Sequence, residues 1–88
     1  MSDEQNRVDV EINGVRYTLK GDAAPENMFK MSRHVDEKIK QVIRRNPRLS
    51  LYKAAVLVAL NITEELFTLR EEYENLVHIL EPESKQKK

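Results

Sequence analysis

Between Pro47 and Pro82 the chain carries neither glycine nor proline, so no backbone breaker interrupts a helix there. Ser50 is a natural N-cap, and Leu49 before it is placed to staple onto Ala54. A helix of about thirty residues would be ~45 Å long, more than a small head can cover. The apolar positions account for the excess. Tyr52, Ala55, Ala59, Ile62, Leu66, Leu69, Tyr73, Leu76 and Leu80 alternate at gaps of three and four, the a/d seam of a coiled coil.

Off the seam this helix changes character. Through Phe67 it is apolar there too, at Val56, Leu57, Val58, Leu60 and Phe67; after Leu69 come Arg70, Glu71, Glu72, Glu74 and Asn75, with Val77 and Ile79 as exceptions. The first half is therefore expected to serve both a core and a partner helix, and the second half the partner alone. Asn61 falls in the doubly covered part. Burying an amide unpaired costs about 1–3 kcal/mol, so Asn61 is expected to be a structural amide tying head to helix.

A partner is also what the chain length requires. At 88 residues there is room for one small domain with a marginal core. There is no cysteine to supply disulfides or thiolate ligands, and His34 and His78 lack zinc-site spacing. The apolar run from Ala54 is far below the ~20 residues of a membrane span. MSDEQNR at the N-terminus is polar and acidic, unlike the basic-then-apolar start of a signal peptide. The expectation is a cytosolic homo-oligomer.

Residues 8–20, VDVEINGVRYTLK, alternate apolar and polar on both sides of Asn13-Gly14. That dipeptide is the strongest short hairpin signal, because both turn positions need positive φ. The turn fixes the register: Ile12 faces Val15, Val10 faces Tyr17 and Val8 faces Leu19. The other face pairs Glu11 with Arg16 and Asp9 with Thr18. Pro25 then suits a first helical turn, followed by Met28, Met31, Val35, Ile39 and Val42 at helical spacing, with Phe29 and Ile43 widening the stripe. Asn46, before Pro47, ends that helix.

The fold class is thus α+β: an N-terminal hairpin and two helices, the second long and extending into a coiled coil. Residues 1–7 form a flexible N-terminus. A head covers 8–62, with the hairpin at 8–20, a helix over about 25–46 and the second helix starting near 50. A coiled-coil extension covers 63–81, and 82–88 is a disordered charged tail. Asn13, Gly14 and Asn61 are structural.

Lys plus Arg equal Asp plus Glu at 15 each, so no net field draws the chain to nucleic acid or an anionic membrane. A ribbon-helix-helix DNA-binding dimer is the alternative reading, since strand, helix, helix is broadly that outline. Against it, Asp9 and Glu11 occupy the polar strand face where a groove reader places basic or amide side chains. No phosphate loop, metal-ligand set or nucleophile constellation marks an enzyme, and neither cofactor nor small-molecule substrate is expected. Glu64, Glu65, Glu71, Glu72 and Glu74 read as a solvated helix face.

The hairpin motif, the amphipathic middle helix with Val35-Asp36-Glu37-Lys38, the Asn46-Pro47-Arg48 linker and VALNITEEL together resemble the ZapA family of bacterial cell-division proteins, in its shorter form. The resemblance covers Val8 to about Leu80 and is most specific at Ala59-Leu60-Asn61-Ile62 with Glu65-Leu66. It implies a non-enzymatic partner of FtsZ, a tubulin-like GTPase, acting in the cytoplasm at the division site. It also implies a dimer that can pair into a tetramer and cross-link or align filaments. Charged head residues are the implied docking set: Arg16, Lys40, Arg44, Arg45 and Arg48. Some members carry a basic residue directly after the hairpin glycine, where this chain has Val15 with Arg16 next.

Overall fold

The computed structural model describes residues 5–80. The tail at 82–88 and the first residues of the N-terminal segment lie outside the described residues. Four elements follow in order: strands β1 (Asn6–Ile12) and β2 (Val15–Gly21), then helices α1 (Pro25–Arg45) and α2 (Leu51–Leu80). The strands form an antiparallel pair in the register that the turn dictates, from Ile12 opposite Val15 to Asn6 opposite Gly21. Asn13 (φ 50°) and Gly14 (φ 82°) both adopt the left-handed backbone that a two-residue hairpin loop requires. Pairing reaches beyond 8–20 at both ends, and Asn6 Nδ2 donates to the Ala23 carbonyl at 2.8 Å, holding the open end of the hairpin to the following loop.

The hairpin's apolar face packs on its own chain. Val8, Val10 and Met28 are buried together, with Ile12, Leu19 and Ala23 against them. Pro25 opens α1, and Asn46 (φ −139°) leaves the helix as a residue before proline must, its N–H donating to Val42 O at 3.0 Å. Ser50 caps α2 as its sequence position predicts: its Oγ accepts from the Lys53 N–H at 3.2 Å, and its carbonyl accepts from Ala54 at 2.9 Å.

The buried face of α1 differs from the expected stripe in one respect. Met28, Ser32 and Ile39 are buried, whereas Phe29 and Met31 are exposed. At 3.6 residues per turn Ser32 lies roughly 40° from Met28 on one side and Met31 roughly 60° on the other, so the serine is nearer the face's centre. Its hydroxyl is satisfied within the helix, donating to Met28 O at 2.8 Å.

Contacts within the chain define two units, one ending at Val58 and one beginning at Ala59. The first holds every buried apolar residue: Val8, Val10, Met28, Ile39, Ala54 and Val58. In the second, among the described residues, all are exposed except Ile62 and Val77, which are half-buried.

The two glycines should respond differently to alanine. A Cβ at Gly14 meets nothing within 4 Å, so the cost is conformational alone, about 1 kcal/mol for an L-residue at positive φ. A Cβ at Gly21 would make an ordinary 3.6 Å contact with Met28 Cε, without positive φ. Thermal unfolding at fixed protein concentration should show Gly14→Ala lowered by several degrees and Gly21→Ala close to the parent.

Candidate functional site: the helix seam and the head surface

The seam residues named from spacing all lie on α2. Tyr52, Leu66, Leu69, Tyr73, Leu76 and Leu80 are exposed large hydrophobics, Tyr52 at 78% and Leu80 at 72%; Ala55 and Ala59 are exposed and Ile62 half-buried. Leu66, Leu69 and Tyr73 line a groove with Arg70 and Glu74. A row of leucines and tyrosines left in water is a surface awaiting cover. Asn61, expected in a doubly covered region, is exposed in the single chain. Thr63 turns its hydroxyl back to Ala59 O at 2.8 Å.

The docking candidates come from different elements: Arg16 from β2, Lys40, Arg44 and Arg45 from α1, and Arg48 from the linker. Lys40 and Arg44 share a face of α1 with Asp36, Glu37 and Gln41. Arg45 ends the helix and Arg48 lies in the linker, both exposed. Arg16 stands opposite Glu11 on the hairpin face turned away from the Val8–Val10 contact with α1, because side chains alternate along a strand. On that same outer face Thr18 Oγ1 donates to Asp9 Oδ1 at 2.8 Å.

Lys40 also has a local role that was not assigned to it from the sequence. Its Nζ lies 3.1 Å from Asp36 Oδ2, and the other oxygen, Oδ1, accepts from the backbone N–H of Asn13 at 2.7 Å. Asp36 thereby clamps the hairpin turn onto α1. The Asn13 N–H first, and the Lys40 ammonium second, hold its carboxyl below the usual carboxylate range. The four-residue spacing of Asp36 and Lys40 could have found the ion pair, whereas no local spacing signals the bond to Asn13.

No group of three or more His, Asp or Glu residues able to hold a metal occurs among the described residues. Among them, too, no helix is long and apolar enough to cross a membrane. The described surfaces are faces of helix and strand.

A hairpin packed on one helix, followed by a long helix with an open 3-4 apolar seam, defines a class of small α+β chains whose largest feature is an uncovered helix face. The family profile described as Cell division protein ZapA matches residues 8–87. A cell division protein ZapA from Geobacillus sp. (strain WCH70) is 35% identical over 80 residues, covering 91% of this chain and 92% of the relative. The one from Geobacillus thermodenitrificans (strain NG80-2) is 42% identical over 77 residues, covering 86% and 85%. A solved ZapA mutant dimer from Geobacillus stearothermophilus superposes with a TM-score of 0.68 at 35% identity, covering 88% of this chain and 90% of that one. The chain belongs to the ZapA family of cell division proteins.

The clamp gives a pH dependence of known sign. With the folded carboxyl's pKa lowered below the ordinary 3.8, the unfolded state binds more protons in the window between, so this contribution is complete above 3.8. It is lost as pH falls through the folded value. Asp36→Asn should therefore lower Tm at pH 7, and the gap to the parent should narrow at strongly acid pH. A gap independent of pH would remove the charge from the account.

Proposed function

We propose that this chain pairs with a second copy along the α2 seam and that the paired particle binds FtsZ filaments, cross-linking or aligning them in support of the Z-ring. The reading needs no enzymatic step: bridging takes two copies of a docking surface and a spacer. It places the protein in the cytoplasm at the division site. The observation that carries it is the exposed seam from Tyr52 to Leu80, on a chain whose family is one of cell division proteins. Two individually weak sites on one particle gain avidity against a repetitive polymer.

The docking surface is assigned to the basic residues of the head, Arg16, Lys40, Arg44, Arg45 and Arg48. Arg45 and Arg48 are exposed at the end of α1 and in the linker, whereas Lys40 is already engaged by Asp36. Off the seam, Ile79 is 75% exposed, a further apolar position near the end of α2. It supports a second pairing step, dimer to tetramer, through the late part of the helix. The strand that a ribbon-helix-helix dimer would share between two chains is here paired within one, which leaves the DNA-binding alternative without a supporting observation.

Co-sedimentation with FtsZ in GTP and in GDP, with light scattering, tests the reading. The parent should pellet and scatter with GTP only. Leu76→Glu puts a charge into the seam and should reduce oligomer size and bundling while leaving the hairpin and α1 folded. Arg45→Glu should weaken pelleting several-fold with oligomer size unchanged. If Leu76→Glu left both size and bundling intact, α2 would not be the cross-linking element.

A further inference from the structure

The sheet has two strands, and one edge of β2 is paired with nothing among the described residues. From the two-residue loop and the register, Ile12–Val15, Val10–Tyr17 and Val8–Leu19 are the hydrogen-bonded pairs. The alternate residues Arg16, Thr18 and Lys20 therefore point their N–H and C=O groups outward, off the open edge. Natural proteins cover, shorten or break such edges; here β2 runs the full length of β1 without a proline or a bulge.

The side chains along this edge are sorted by charge. β2 (VRYTLKG) has two basic residues and no acidic one, and its outer face presents Arg16, Thr18 and Lys20. In the register Lys20 faces Arg7, a like-charged pair with no acid between them. On the other face Val15 and Tyr17 are 40% and 45% exposed, although Val8 and Val10 beside them on β1 are buried. A third strand laid along β2 would set its alternate residues beside a basic row on one face and an apolar row on the other.

We infer that the open edge of β2 is a docking site for an extended segment of another protein that alternates acidic and apolar side chains, added as a third strand. Main-chain bonds to Arg16, Thr18 and Lys20 provide the attachment; acids opposite Arg16 and Lys20, and apolar groups over Val15 and Tyr17, provide the selection. A second copy of this chain fits less well. Antiparallel β2–β2 pairing centred on Thr18 sets Arg16 opposite Lys20 across the two copies, and does so twice. The hairpin needs no ordering on binding, since Asp36 holds its turn and Asn6 its open end. The inference concerns the head alone and stands whether or not an FtsZ filament is the protein's partner.

The test is titration of the full chain with a capped seven-residue peptide alternating valine and glutamate, followed by amide NMR. Shifts and slowed exchange should appear at Arg16, Thr18 and Lys20, and a valine–lysine peptide should not reproduce them. Lys20→Glu, which leaves the edge intact and relieves the repulsion with Arg7, should weaken the acidic peptide roughly two- to fivefold and strengthen the basic one. Thr18→Pro should abolish binding by removing the central outward N–H; if it unfolds the hairpin, the Lys20→Glu exchange of preference still decides. Equal binding of both peptides, shifts confined to α2, or no shift at millimolar peptide would overturn the inference. So would edge amides of the protein alone that become protected as its concentration rises, since a second copy would then be the occupant.

Discussion

The chain owns more apolar surface than it can bury. Among the described residues six apolar ones reach the interior, none of them a large side chain fully enclosed, while leucines and tyrosines from Tyr52 to Leu80 stay in water. Most helical stability in proteins comes from packing an amphipathic face, not from intrinsic propensity. The part of α2 from Ala59 onward contributes no buried residue of its own. Its persistence as a helix therefore depends on a surface supplied from outside the chain. On the proposed reading that surface is another helix presenting the same 3-4 pattern.

Within the first unit the shortage of core is met differently. A two-stranded hairpin is marginal alone, and only one side of its apolar face, Val8 and Val10, finds cover on Met28. Two polar ties supplement this packing at opposite ends of the hairpin. Asp36 holds the turn at Asn13, and Asn6 holds the open end at Ala23. The hairpin is thus fixed against α1 while β2 stays exposed from Val15 to Thr18, and a fixed but uncovered strand is a different object from a frayed one. Its edge groups are already aligned, so a partner strand would meet no ordering cost on this side.

The turn and register of the hairpin were legible in the sequence because their determinants are local, whereas its outer pairs at Asn6 and Arg7 were not. Asn13-Gly14 admits one kind of turn, and a period of two then dictates every pair in the register. Both ends of α1 and the start of α2 were legible for the same reason, through Pro25, Pro47 and the Ser50 cap. What could not be read depends on which side of α1 the hairpin lies. Met31 fitted the apolar stripe as well as Met28 did, yet it is exposed, and Ser32 is buried because it lies nearer the centre of that face, its hydroxyl satisfied at Met28 O. Asp36 was visible as part of a family-like segment, but its bond to Asn13 joins residues far apart in the chain and no spacing rule encodes it. Among the candidate docking residues, alternation alone assigned Arg16 to the polar strand face. Whether that face and the Lys40–Arg44 face adjoin is a tertiary fact, and in the fold they belong to different elements.

The two kinds of surface also differ in chemistry, which separates the interactions they can support. The seam is uncharged, so pairing along it would draw on burial of apolar area and be insensitive to moderate salt. The candidate docking residues are guanidinium and ammonium groups at the surface, where attraction is screened beyond about 8 Å at physiological ionic strength. On the proposed reading, assembly of the particle and its attachment to a partner would therefore rest on different forces. Such a particle would stay paired while it let go of a polymer and took hold again elsewhere. Pairing on a two-fold axis would duplicate every head surface, and each duplicate would hold through contacts weak enough to exchange. Strong self-association combined with weak, repeated attachment is the combination that lets a cross-linker align filaments without freezing them.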